Sequence, residues 1–113
     1  DTMIWLMQNP VLDKTIEFAD NRISLFAAQY GRCAVTGIDL MPHDIRCHHK
    51  VPLENGGTDE YGNLVLVTEA VHILIHATLG ETIQKYLNEL QLNKKQLEKL
   101  NRLRKLAGTS VIA

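Results

Sequence analysis

A chain of 113 residues, 45% of them hydrophobic, is long enough for one domain with a modest core. It has no run of about 18 apolar residues, which excludes a membrane-spanning helix, and its two cysteines are too few for a secreted disulfide framework, so a reducing, cytoplasmic setting is expected. The net charge of −1 conceals an asymmetry: residues 1–80 carry five Lys/Arg against ten Asp/Glu, and residues 81–113 carry seven against three.

The chain opens at Asp1 without a signal-peptide pattern and is expected to be a piece of a longer polypeptide. Met3-Ile4-Trp5-Leu6-Met7, ahead of Pro10, predicts a short helix or a docking segment. Asp20 or Asn21 is the expected cap of a helix running to about Tyr30, with Ile23, Phe26, Ala27 and Tyr30 on one face and Gly31 ending it. Thr36-Gly37 and Pro42 make residues 33–44 a hairpin or turn region. Ile45 to Val51 predicts a strand stopped by Pro52, residues 54–62 a polar, glycine-rich loop, and Leu64-Val65-Leu66-Val67 a second strand. Thr68 then caps a helix carrying Val71, His72, Leu74, Ile75 and His76, with Gly80 as its expected end. Two more helical stretches follow, at about 81–91 and 94–107. Asn93 is the expected N-cap of the second, Gly108 its terminator, and Leu97, Leu100, Leu103 and Leu106 its core-facing stripe. The expected class is α+β, a single domain over 1–113. Its core, at about 33–80, reads strand, loop, strand, helix, and its helical flanks cover 1–31 and 81–107.

All five histidines lie between 43 and 76. His72 and His76, four residues apart on a helix, leave the same face and can converge on one ion. Taken alone, such a pair is more often a packed or solvent-facing one than a metal site. His48 and His49 are adjacent in a strand and point to opposite sides, so one can face a metal and the other a substrate. A general base must be neutral near pH 7, as imidazole is, while a metal polarises a scissile phosphate. Asn63, where the loop re-enters the second strand, can hydrogen-bond across the loop and hold the His49 backbone or ring. Histidine-rich ligation suits Zn²⁺ and other transition ions, whereas Mg²⁺ prefers oxygen ligands.

Cys33 and Cys47 lack a second pair for a structural zinc and read as small buried hydrophobes. Even so, Cys33-Ala34-Val35-Thr36-Gly37 looks like a zinc knuckle whose second Cys has become Thr. The candidate phosphate contacts are Arg46 and Lys50, nearest the histidines, and Lys94, Lys95, Arg102 and Arg104 of the basic tail. Each also reads as an ordinary solvated charge. His43 reads as a surface residue.

The run Cys47-His48-His49-Lys50-Val51-Pro52, with Gly56-Gly57, Asp59, Asn63-Leu64 and His72-Ile73-Leu74-Ile75-His76, resembles the HNH endonucleases with their ββα-metal core. Residues 20–37 and 96–106 are similar to the C-terminal endonuclease domain of bacterial group II intron-encoded reverse transcriptase/maturases, so the resemblance covers nearly the whole chain. It implies His49 as general base, His48 and His72 as metal ligands, His76 as a third ligand or a phosphate contact, and Asn63 as the residue orienting the base. It implies one divalent ion, Mg²⁺ in use with Zn²⁺ or Mn²⁺ as alternatives, and a DNA-associated bacterial protein. The activity implied is nicking of one strand of double-stranded DNA. The 3′-hydroxyl left behind would prime reverse transcription by other domains of the same polypeptide, which carry the intron RNA. Many such domains hold structural zinc on two cysteine pairs, a pattern from which this chain departs.

The sequence is also compatible with other classes. They are a stand-alone HNH nuclease, a non-catalytic nucleic-acid-binding module whose histidines hold a structural ion, and an interaction domain docking through Met3 to Met7. The last needs several coincidences of residue type and spacing.

Overall fold

The apolar run Leu64-Val65-Leu66-Val67 does not alternate, which is the pattern of a strand covered on both faces. In the computed structural model, which describes residues 1–12 and 14–113, it forms β2 (Leu64–Thr68), buried along its whole length. β2 pairs antiparallel with β1 (Ile45–His49) in a register that sets His48 opposite Val65 and Cys47 opposite Leu66. Five helices complete an α+β fold among the described residues: α1 (Thr2–Gln8), α2 (Ile16–Ala28), α3 (Glu69–His76), α4 (Gly80–Leu90) and α5 (Lys94–Leu106). None is long and apolar enough to cross a membrane.

α2 packs on β2, while α3 packs on both strands and against α4 and α5. The core therefore lies around β2 and the inner face of α3, where Leu66, Val67, Val71, Leu74, Ile75 and Leu100 have no exposed surface. Burial of each such side chain stabilises the fold by about 1.5–3 kcal/mol before chain entropy is counted. Gln29, just past α2, donates to the Leu66 carbonyl (2.9 Å) and accepts from the Leu66 amide (2.9 Å), serving the outer edge of β2 as a neighbouring strand would. Turns lie within the expected region 33–44, next to an Arg32–Asp39 bridge and with Gly37 at φ 75°.

Several boundaries differ from expectation; β1 ends at His49 rather than Val51. α2 begins a turn earlier, with Thr15 as N-cap accepting from the Phe18 amide (2.9 Å). Asn21 lies inside the helix, where its side chain donates to the Asp59 carbonyl instead (2.8 Å). The buried face of α2 is accordingly Phe18, Arg22 and Leu25, and Tyr30 stands almost fully in solvent. α3 stops at His76, and Gly80 opens α4 rather than closing α3. The cap assignments at Thr68 and Asn93 hold, the latter as a full capping box with Gln96. On the α5 stripe Leu100 and Leu103 are buried, whereas Leu106 is half exposed.

Arg104 departs most from its expected role as a phosphate contact. Its side chain turns inward, 2% exposed, because the last turn of α3 leaves carbonyls without helical partners. Its guanidinium donates to the carbonyls of Leu74 (2.6 Å), Ala77 (2.9 Å) and Ser110 (2.7 Å), and so locks α5 and the C-terminal segment onto α3.

Candidate metal centre

Strand alternation turns His48 towards α3, whose N-cap and length present His72 and His76 one turn apart on the facing side. The three rings meet edge to face, with centroids 5.3 Å (His48–His72), 5.1 Å (His48–His76) and 5.1 Å (His72–His76) apart. One nitrogen from each lies within 4.8 Å of the other two, close enough for all three to hold a single ion. The environment grades outward, from buried His48 through half-buried His72 to exposed His76, so the cluster opens to solvent on the His76 side.

His48 Nε2 is buried and has no hydrogen-bond partner among the described residues. A buried imidazole nitrogen left without a hydrogen-bond partner is costly as it stands and fits a metal ligand. Burial, reinforced by the neighbouring rings of His72 and His76, pushes the His48 pKa down to about 3. Burial, His76 and Arg46 lower that of His72. Both shifts favour the neutral, ligating form. Three imidazole nitrogens are a donor set for Zn²⁺ and related transition ions, and Mg²⁺ would need oxygens from outside the set.

His49 points to the other side of β1, where its ring stacks on Phe18 with centroids 5.5 Å apart. Its Nε2 lies 2.7 Å from Asp59 Oδ1, and Asp59 Oδ2 accepts from the Thr15 hydroxyl (2.7 Å). The hydrogen bonds from His49 and Thr15 hold the Asp59 carboxyl below its ordinary pKa. An ionised carboxylate only accepts, so Nε2 carries the proton in neutral His49 and Nδ1 is left with its lone pair free. His48, His49, His72 and His76 all line one open cleft of about 450 Å³, with Lys14, Phe18 and the turn from Pro52 to Asn55 on its walls.

Asn63 works on the loop rather than on the ring. Its Oδ1 accepts from the Val51 amide (2.9 Å), and its Nδ2 donates to the carbonyls of Val51 (3.0 Å) and Thr58 (2.8 Å). Its own carbonyl accepts from the Lys50 amide (2.7 Å). Asn63 thus pins both ends of the excursion between the strands, including the backbone directly after His49. The ring itself is held by Asp59, a partner that spacing did not reveal. Gly57 makes the same loop possible: a Cβ there would stand 1.8 Å from the Val51 carbonyl oxygen.

Among the candidate phosphate contacts, Lys94, Lys95 and Arg102 stand exposed on α5, and Lys50 is half-buried at the end of β1. Arg46 is half-buried and paired with Glu69 at 3.0 Å, and Arg104 is excluded by its burial. His43 is exposed, as expected. The chain matches no protein-family model, and no curated protein resembles it closely enough to count as a match.

Proposed function

We propose that this chain is a metal-dependent DNA endonuclease of the HNH type, with His48, His72 and His76 holding the ion and His49 as general base. One observation carries the reading. A three-imidazole cluster and a fourth imidazole, oriented by a carboxylate and free at Nδ1, open into the same cleft. Asp59 keeps the proton on Nε2, so Nδ1 accepts a proton from the attacking water. Phe18 and Asp59 together fix the ring plane, and Asn63 fixes the backbone that carries it. The bound ion supplies Lewis-acid polarisation of the phosphodiester and stabilises charge on the leaving 3′ oxygen. The products are 5′-phosphate and 3′-hydroxyl ends.

The finer reading, a nicking domain serving target-primed reverse transcription by a group II intron-encoded protein, is supported by the resemblance of residues 20–37 and 96–106. In that setting the reverse transcriptase belongs to the rest of the polypeptide and the intron RNA is its bound partner.

Nicking of supercoiled plasmid by this chain and by His49→Ala, with Zn²⁺, Mn²⁺, Mg²⁺ or EDTA, is the test. Metal-dependent nicking that the variant loses is expected, with nicks that a DNA polymerase extends directly. Full activity in His49→Ala would remove the base assignment, and no cleavage with any metal would leave a metal-holding binding module.

A further inference from the structure

α5 starts far from the histidine cleft and ends beside it, since Ala107, at its C-cap, is part of the cleft wall. One to two turns back along the helix, Arg102 and Lys99 rim a separate shallow depression together with Lys50, which leaves the end of β1 directly after the two histidines. The floor of this depression is apolar, formed by Val65, Leu103 and Leu106. No carboxylate lies within salt-bridge distance of any of the three cations among the described residues. Half-buried Lys50 and exposed Lys99 and Arg102, set around an apolar floor with no carboxylate partner, make a patch complementary to a polyanion lying across it. Helical rise sets Lys99 and Arg102 about 4.5 Å apart along the axis and Arg102 about 7.5 Å from Ala107. Successive phosphates of one DNA strand advance about 3.4 Å along the duplex axis, so these groups can meet phosphates a few steps from one at the cleft.

We infer that Lys50, Lys99 and Arg102 form a phosphate clamp that holds the backbone of duplex DNA along α5 and leads it into the histidine cleft. The inference rests on the nuclease reading for what happens in the cleft, but the clamp itself is a binding device. Its contacts are to phosphate and are therefore indifferent to base sequence.

Binding of the whole chain to a fluorescein-labelled 20-base-pair duplex, followed by anisotropy in EDTA across a salt series, separates the two claims because no cleavage occurs. For Lys99→Gln/Arg102→Gln the plot of log K against log salt should become shallower by about 1.8, at about 0.9 per lost phosphate contact. Lys94→Gln/Lys95→Gln, at the far end of the helix, should change it less. Both pairs are exposed, and an unchanged unfolding midpoint confirms that each variant is folded. Several outcomes overturn the clamp: no measurable duplex binding by the wild type, an unchanged slope in Lys99→Gln/Arg102→Gln, an equal loss in the Lys94/Lys95 variant, or tighter binding of single-stranded RNA than of duplex. A clamp that behaves as expected in a chain that nicks no plasmid would retire the nuclease reading and keep the clamp. Wild-type nicking with an unmoved slope would do the reverse.

Discussion

The carboxylate of Asp59 lies 2.7 Å from the Nε2 of His49, across ten residues of loop, and decides which nitrogen of that ring can accept a proton. Asp59→Asn should keep the metal centre and lose much of the activity. Its amide can present either an acceptor or a donor to the ring, so the tautomer is no longer fixed. Nicking rates should drop by about tenfold to a hundredfold, less than the roughly 10²–10⁴ expected for His49→Ala as loss of a general base. Zinc titration followed by calorimetry should be unchanged in both. Loss of metal affinity in Asp59→Asn would show that the carboxylate serves the ion instead.

Metal should stabilise this fold, because the three ligands come from β1 and α3 and the unfolded chain does not hold them together. Saturation at a hundred times the dissociation constant would add about 2.7 kcal/mol. His72→Ala and His76→Ala should each abolish most of the metal-induced rise in melting temperature. A rise that survives either change would mean that the residue is not a ligand.

In the metal-free protein, acid should act early. The pKa of His48 is 6.5 in its ordinary state and about 3 in the fold. The unfolded chain therefore binds the proton first, and stability falls as the pH drops below about 6.5. By linkage, His48 alone should remove about 2 kcal/mol between pH 7 and pH 5, and the lowered pKa of His72 acts in the same direction. Urea midpoints at the two pH values, compared with those of His48→Leu, measure this. A variant as acid-sensitive as the wild type would assign the effect elsewhere.

Arg104→Met should cost about 2–4 kcal/mol in urea unfolding, since it strands the carbonyls of Leu74, Ala77 and Ser110 that the guanidinium now serves. Its effect on the salt dependence of DNA binding should be nil, in contrast to Arg102 two residues away. A slope change in Arg104→Met at unaltered stability would contradict the inward orientation.

Gly57→Ala tests the loop. The added methyl would collide with backbone rather than with a flexible side chain, so residues 51–63 must rearrange. A cost of at least about 2 kcal/mol is expected for such a backbone clash, together with a weakened His49–Asp59 contact and slower nicking. A fully stable and active variant would show that the approach of Gly57 to Val51 relaxes freely.

Residue types and short spacings made much of this architecture legible. Thr68, Asn93 and Gly108 act locally, and the convergence of His72 with His76 follows from helical pitch alone. Partners brought together by the tertiary fold left no such trace. Asp20 and Asn21 look like caps by residue type, yet Asn21 is committed to a carbonyl thirty-eight positions away. Asp59 belongs to the run that resembles the HNH endonucleases, yet nothing in that run shows that it reaches the His49 ring, ten residues away across the loop. Arg104 belongs to a basic run, and only the open carbonyls at the end of α3 explain why it faces inward while Arg102 faces out.

The hydroxyl of Thr15 takes the Phe18 amide proton bond at the head of α2 and gives its own hydrogen to Asp59. The pose of the His49 ring is therefore wired to the fraying of a helix end more than thirty positions upstream in the chain. Hydrogen exchange at the Phe18 amide becomes a remote gauge of how firmly the His49 ring is held. Anything that tightens or loosens the first turn of α2 would shift the His49 ring without entering the cleft.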